Sequence, residues 1–235
     1  MFARGCTAAG ALLLLLATAS ALRPAPPGFE PSVVEQMVSK NAARAAALRA
    51  YSGERWYRVS FSGLGHKHAA MHVRVDFAQP GPKRFTVLSE SGSSMLRHHV
   101  LEPLLTVERH QALADAEQGS SLTPANYDFD LLARPHPGSS NYVLFANPHA
   151  GNPYLFRGTI WLDNEDLGLV KAVLAPVDDH SWWTTDTVCT YRGQNLQGFW
   201  LPASNHCVCK VRWFGHAALD IAYAHFTLHP AADPQ

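Results

Sequence analysis

The chain has 235 residues and carries 19 basic and 19 acidic side chains, so its formal net charge is zero. A neutral chain lacks the basic patches that hold nucleic acid or anionic membranes, and we expect no nucleic-acid partner. Charged residues make up 16% of the chain, below the usual quarter, which favours a domain with a large apolar interior.

The N-terminus has the three parts of a secretory signal peptide. Arg4 supplies positive charge, residues 11–17 form a short apolar run, and Ala19-Ser20-Ala21 is a small-residue cleavage site. We expect cleavage near Ala21, which removes residues 1–21 and leaves a soluble periplasmic protein. No later run reaches the roughly 20 apolar residues of a membrane helix, so no transmembrane segment is expected in the mature chain. Residues 22–31 are rich in proline and are interpreted as a linker.

A helix and three strands follow the linker. Ser32 and Glu35 form a capping box, and the apolar residues after them recur at helical spacing, which predicts a helix at Val33–Ala50. Alternation of apolar and polar residues with a period of two then predicts three strands. They are Trp56–Gly63, His68–Phe77 and Lys83–Leu88, with a turn at Gln79–Pro82 before the third.

The spacing of the apolar residues changes again after the third strand. Apolar residues recur at helical spacing within Ser93–Ala116, and Pro103 is expected to kink or restart this helix. Alternation then resumes, with an acidic turn at Asp163–Asp166 in the middle of a hairpin. The predicted strands are Tyr127–Leu132, Tyr142–Ala146, the two arms of the hairpin Pro153–Pro176, Ser181–Tyr191, Phe199–Trp213 and Ala217–Leu228.

Residues 32–230 are therefore predicted to form one domain of the α+β class, followed by a short tail at 231–235. About ten strands are too many for a flat sheet, because a sheet of that size must curl, split or be covered. We expect a curved antiparallel sheet, an incomplete β-barrel, with helices across its concave side.

This arrangement resembles the LolA/LolB-type fold, an unclosed β-barrel capped by helices whose members carry or sense lipids and lipoproteins in the periplasm. The resemblance rests on Met71–Val75, which leads into a turn containing proline, and on the strand Phe156–Asp163. A closer resemblance is to uncharacterised exported proteins of the lipoprotein-sorting type that carry Thr123–Phe129 and Phe199–Pro202. The resemblance to this family implies a hydrophobic ligand.

Two features depart from the carrier proteins of that family. The carrier has an arginine directly before the proline of the early turn, where it helps to hold the lid shut, and this chain has Gln79. The segment after Ser93 is predicted to be a helix, whereas the carrier resumes a strand there. Both departures count against lipoprotein transport itself, and neither changes the predicted fold.

The apolar surplus predicts a lipid-binding cavity between the sheet and the helices. An acyl chain would gain about 0.8 kcal/mol for each methylene buried there. An ordinary packed core without a ligand is the alternative interpretation of the same side chains. The candidate lining residues are Met71, Val73, Val75, Phe77, Leu101, Leu104, Leu105, Phe156, Ile160 and Leu162.

The leading function is a non-catalytic periplasmic carrier for a lipid or for the acyl chains of a lipidated protein. The alternative is a sensing or scaffolding module of the same fold that binds an envelope protein. The sequence contains no nucleophile elbow, metalloprotease motif or phosphate-binding loop, so we expect neither catalysis nor a cofactor.

A metal site is also not expected. His66, His68 and His72 share a strand face, and neutral imidazole suits zinc or copper. That face also carries Arg74 and Asp76, which is typical of a strand face in contact with water.

The three cysteines of the mature chain are predicted to be unpaired thiols. With Gly193–Gly198 as the hairpin loop, Cys189 lies opposite Pro202. Cys207 is then roughly 16 Å away along the strand, because each residue of a strand advances the chain by about 3.3 Å. That distance is too long for a disulfide. Cys209 shares a strand face with Cys207 and is also poorly placed to pair with it.

Overall fold

The computed structural model describes residues 32–63, 65–106, 108, 121–149, 155–177 and 184–231. The predicted signal peptide 1–21, the linker 22–31 and residues 232–235 of the tail lie outside these ranges. So do residues 107 and 109–116 of the second predicted helix. Within the described residues, no helix combines the length and apolar character that a membrane span requires.

Ten strands form a single sheet. They are β1 (Leu48–Gly63), β2 (Gly65–Ala78), β3 (Arg84–Gly92), β4 (Tyr127–Ala133), β5 (Asn141–Pro148), β6 (Phe156–Asp163), β7 (Leu169–Pro176), β8 (Thr184–Leu196), β9 (Phe199–Val211) and β10 (Gly215–Pro230). The predicted strands are confirmed within the described residues, which exclude 153–154 and 181–183. The predicted helix Val33–Ala50 is too long, because β1 begins at Leu48 and the last three residues of that predicted helix are strand.

Two helical segments accompany the sheet. Helix α1 spans Val33–Ala47 and begins with the predicted capping box, in which Ser32 and Glu35 exchange hydrogen bonds. Segment α2 consists of one α-helical turn at Ser94–Leu96, a π-helical turn at Arg97–Leu101, and α-helix at 102–106. The π-helical turn ends two residues before Pro103, whose ring excludes the regular hydrogen bond to the fourth preceding residue. Pro103 therefore interrupts α2 as predicted.

The sheet is open, curved and antiparallel, in the order β3-β2-β1-β10-β9-β8-β7-β6-β5-β4. The chain runs from β1 outward to the edge strand β3 and restarts at the opposite edge as β4. Successive hairpins then return it to β10, which pairs with β1. Segment α2 begins the connection between the two edges.

One face of the sheet is buried across most of its width. Directly opposed residues of paired strands point to the same face, so a row of partners identifies that face. One such row crosses eight strands and is buried throughout: Leu144, Ile160, Ala172, Tyr191, Asn205, Ile221, Tyr57 and Met71. We call this the inner face.

Both helical segments pack on the inner face, over different strands. Leu96, Val100 and Leu101 of α2 belong to a cluster with buried residues of β1, β2, β8, β9 and β10, here called the α2 cluster. Met37 of α1 belongs to a second cluster with buried residues of β4–β8, here called the α1 cluster. The interior of the domain is thus divided between two apolar clusters.

Cys189 and Cys207 form a disulfide, so the prediction of three unpaired thiols is wrong. The hairpin loop consists of Gln197 and Gly198 alone, both with positive φ, as in the tight turns that join two strands. This shorter loop and an irregularity in the register after Arg192 place the two cysteines directly opposite each other, with Cα atoms 4.1 Å apart. Cys209 is buried and takes no part in the disulfide.

Candidate functional site

The structure separates the ten predicted lining residues into two groups. Six of them belong to the α2 cluster, and Phe77 packs against it. The remaining three belong to the α1 cluster. The first group is Met71, Val73, Val75, Leu101, Leu104 and Leu105, and the second is Phe156, Ile160 and Leu162. The ten residues therefore do not form a single cluster, and the group beneath α2 is the candidate site.

Segment α2 presents an apolar stripe to the sheet. Leu101, Leu104 and Leu105 are spaced for one side of a helix, and all three are buried. Glu108, seven residues after Leu101, continues the same stripe and is only 5% exposed. Within the described residues, the last member of the stripe is therefore a buried carboxylate.

Arg55 of β1 lies on the inner face opposite this carboxylate. It is 3% exposed, and its Nη1 forms an ion pair with Oε2 of Glu108. Nη1 also donates to the hydroxyl of Tyr57 over 3.2 Å, and that hydroxyl donates to Oε1 of Glu108 over 3.2 Å. The result is a closed polar network inside an apolar layer, joining the sheet to the end of α2.

Aromatic rings surround the guanidinium of Arg55. Its Cζ lies 5.4 Å from the ring centroid of Phe85 and 5.2 Å from that of Tyr223. Ring faces attract cations, and the attraction grows where water is excluded. The rings of β3 and β10 therefore favour a buried positive charge at this point.

Two hydroxyls near Arg55 are buried without a hydrogen-bond partner among the described residues. They belong to Tyr51 and Tyr223, which are 2% and 4% exposed. The ring of Tyr51 packs on Phe77 and Phe226, with centroid distances of 5.4 and 6.1 Å. An unsatisfied buried hydroxyl costs about 1–3 kcal/mol, so two beside one arginine are an uncommon arrangement.

The pKa shifts follow from this geometry. Burial lowers the pKa of Arg55, but Glu108 and three nearby tyrosines outweigh it and raise the pKa well above its ordinary value. Burial, together with the charge of Glu108, raises the pKa of Tyr57 and Tyr223. The site therefore holds a permanent positive charge beside neutral hydroxyls.

Sequence reasoning missed Arg55 and Glu108. The predicted strand starts at Trp56 and so excludes Arg55. In the structure Arg55 lies within β1, two residues before Tyr57, and therefore on the same face of the strand. Glu108 lay inside the predicted helix Ser93–Ala116, on the same stripe as the leucines. The pattern that could have identified the pair is a positive residue on the apolar face of a strand and a negative residue on the apolar face of a helix.

Gln79 has a different role from the arginine of the carrier proteins. Its Nε2 donates to the carbonyl oxygens of Ala45 and Leu48, at 2.8 and 3.0 Å, at the C-terminus of α1. The Gln79 side chain therefore holds the C-terminus of α1 next to the turn after β2. Arg55 provides the cation that contacts α2.

The histidines considered for metal binding lie on the outer face. Nε2 of His72 lies 2.9 Å from Oε2 of Glu54, and its ring stacks on Trp56 at 4.5 Å between centroids. His225 approaches the same carboxylate, with 3.3 Å from its Nδ1 to Oε2 of Glu54. In the part of the chain that the structure describes, no three such side chains are arranged to hold a metal ion.

No family model matches the chain, and no curated protein matches it. The chain is similar to several solved structures. A LolA superfamily protein from Nitrosomonas europaea shares 10% identity, with 86% of this chain and 96% of that chain covered, at a TM-score of 0.40. An outer-membrane lipoprotein-sorting protein domain from Vibrio parahaemolyticus shares 13% identity over 83% and 91%, also at 0.40.

A DUF1329 family protein from Desulfovibrio piger shares 10% identity over 83% of this chain and 91% of that chain, at a TM-score of 0.42. The family resemblance noted in the sequence is thus also found among solved structures. At these identities and TM-scores the likeness carries no conclusion about the ligands or partners of this chain.

Proposed function

We propose that the protein is a non-catalytic lipid carrier of the cell envelope. Acyl chains of a lipid or a lipidated protein would lie between α2 and the inner face of the sheet, on its concave side. The observation that carries the proposal is the way α2 is attached to the sheet. An apolar stripe covers apolar strands, and the contact ends in one buried ion pair between Arg55 and Glu108.

This attachment suits a segment that opens. The energy needed to remove two charges from water largely offsets their attraction, so a buried ion pair contributes little net stability. When α2 moves away, both charges return to water and their solvation is regained. An acyl chain that replaces α2 on the inner face gains about 0.8 kcal/mol per methylene.

The conformation of α2 supports the same proposal. A π-helical turn at Arg97–Leu101 and the proline at position 103 interrupt its regular hydrogen bonding. Such interruptions are places where a helix bends at low cost. Segment α2 could therefore bend away from the sheet at these positions.

The first experiment examines the purified protein for bound lipid. The full chain is produced with residues 1–21 in place, recovered from a bacterial periplasm, and analysed by native mass spectrometry and solvent extraction. We expect co-purified lipid on a mature chain that begins near residue 22. Leu104→Gln, which places an amide in the proposed site, should reduce the bound lipid. Leu132→Gln at the edge of the sheet, where the side chain is 58% exposed, is the matched control.

Absence of lipid from the purified protein, together with no uptake of added oleate, would contradict the proposal. Equal lipid content in both variants would place the lipid elsewhere on the protein.

A protein-binding module is the second candidate, because neither edge strand pairs with a further strand among the described residues. Edge strand β3 is largely exposed, including Val87 and Leu88, and β4 exposes Leu131 and Leu132. An unpaired edge can accept an extended peptide as a further strand. A stoichiometric envelope protein that co-purifies without lipid, and is lost with Leu132→Lys, would favour this candidate.

A further inference from the structure

We infer that Arg55, Tyr51 and Tyr223 form a binding site for the anionic head group of the lipid, a carboxylate or phosphate, which takes the place of Glu108. This inference rests on the proposed function and specifies the ligand: an amphiphile with one acyl region and a negatively charged head. The neighbours of Arg55, the two hydroxyls and the position of Glu108 support it.

The site combines donors for an oxyanion with an apolar wall. A guanidinium carries five N–H donors in a planar fork that matches a carboxylate or a phosphate. Its cross-strand partners are Val73 on β2, a predicted lining residue, and Tyr223 on β10. An anionic head bound at Arg55 would thus lie directly beside the apolar surface that would hold its chain.

The two unpartnered hydroxyls indicate a ligand. The hydroxyls of Tyr51 and Tyr223 lack a hydrogen-bond partner among the described residues. Both residues lie close enough to Arg55 to raise its pKa. Both residues are donors that an incoming oxyanion could use. A packed core would be more stable with phenylalanine at these positions.

Glu108 resembles the proposed head group chemically. It brings a carboxylate from α2 onto Arg55 and Tyr57, in the position that a ligand carboxylate would occupy. A ligand that binds Arg55 must displace this carboxylate, which would release α2 from the sheet. Binding of the head group and opening of α2 are therefore coupled in both directions.

The test compares ligands that share a chain and differ in the head. Delipidated protein is titrated by calorimetry with oleate and with oleyl alcohol at pH 8, and separately with acetate and inorganic phosphate. We expect oleate to bind about tenfold or more tightly than oleyl alcohol, because a charged hydrogen bond to Arg55 is added. Acetate and phosphate alone should not bind measurably, because they lack the acyl chain.

Variants assign the preference to residues. Glu108→Gln removes the competing carboxylate and loosens α2, so it should increase the affinity for oleate more than the affinity for oleyl alcohol. The double variant Arg55→Gln with Glu108→Gln keeps the shape of the network without charge and should bind both ligands equally. Tyr51→Phe and Tyr223→Phe should weaken oleate binding alone. Tyr127→Phe, a buried tyrosine of the α1 cluster whose hydroxyl accepts from Phe156 N, is the matched control.

The outcomes separate this inference from the proposed function. If oleate and oleyl alcohol bind equally and no variant changes their ratio, the head-group site is wrong while the lipid carrier stands. If neither ligand binds, the proposed function fails and the inference fails with it. If acetate or phosphate binds as tightly as oleate, Arg55 belongs to an anion site that is independent of lipid, which overturns the inference.

Discussion

The two helical segments pack on the same face of one sheet, but they are attached to it in different ways. Helix α1 is fixed to the rest of the domain by polar contacts in its second half and at its C-terminus, in places that water can reach. Lys40 Nζ donates to the carbonyl of Glu165 over 2.6 Å, and Arg44 pairs with Asp166 at 3.4 Å. Segment α2 is held by leucines, by the buried ion pair between Arg55 and Glu108, and by one ion pair near its start, between Arg97 and Glu90 of β3 at 3.0 Å. The difference suggests which segment moves.

Asp166 is the centre of the α1 attachment. Its carboxylate accepts from the indole Nε1 of Trp200 at 2.8 Å, from Asn195 at 3.1 Å and from the backbone N–H of Gly168 at 2.9 Å. A side chain at Gly168 would collide with that indole, so the close packing requires glycine. The predicted acidic turn therefore anchors α1 and the β8–β9 hairpin to each other.

The largest expected effect comes from breaking the ion pair on one side. Arg55→Met leaves Glu108 buried without its cation and should lower the free energy of unfolding by about 3–5 kcal/mol. The double variant with Glu108→Leu should be close to the parent protein or more stable. Urea unfolding measures both. A double variant as unstable as the single one would mean that the pair itself stabilises the fold.

Removal of the disulfide tests whether the sheet depends on more than apolar packing. Cys189→Ser with Cys207→Ser opens a loop of 18 residues and should cost about 3 kcal/mol, measured by thermal unfolding. Because both cysteines belong to the α2 cluster and neither belongs to the α1 cluster, α2 amides should lose more protection than α1 amides. Equal loss of protection in both segments would contradict this expectation.

Asp166→Ala should loosen α1 and leave α2 unchanged. The loss of several charge-assisted hydrogen bonds at a partly exposed site should lower the free energy of unfolding by about 2 kcal/mol. Hydrogen exchange followed by mass spectrometry should show faster exchange in Val33–Ala47 and at the β8–β9 hairpin that Asp166 also contacts, but not in α2. Asp128→Ala provides the control, because that carboxylate is exposed and contacts only His149 in the described residues. Equal loosening of both segments would remove the contrast drawn here.

The smallest effect is a gain in stability. Tyr51→Phe and Tyr223→Phe each remove a buried hydroxyl that has no partner in the described part of the chain. Each should raise the stability of the ligand-free protein by about 1 kcal/mol. Tyr57→Phe, which removes a bonded hydroxyl, should have the opposite sign. A loss of stability in the first two variants would show that these hydroxyls are satisfied in the folded protein.

Local patterns predicted the elements well, because each depends on neighbouring residues. The capping box at Ser32 located α1, and Pro103 located the interruption in α2. Long-range features were predicted poorly. The disulfide was missed because the loop at Gln197-Gly198 is shorter than expected, and an error in loop length shifts every partner beyond it.

The division of the lining residues could not be predicted for a related reason. Phe156 and Met71 both alternate as inner-face residues, but the sequence does not show that β4 starts at the edge opposite β3. Only the strand order places β6 and β2 far apart under different helical segments. The pairing of Arg55 with Glu108 depends on the same long-range arrangement, so two charges on separate apolar faces were the only sequence indication.

Photo-crosslinking tests most directly whether acyl chains lie beneath α2. An oleate analogue with a diazirine in its chain is bound to the purified protein and irradiated, and the modified residues are identified by mass spectrometry. We predict modification of the α2 cluster, at Met71, Val73, Leu101 and Leu104. Modification confined to Phe156, Ile160 and Leu162 of the α1 cluster, or to the outer face, would contradict the account.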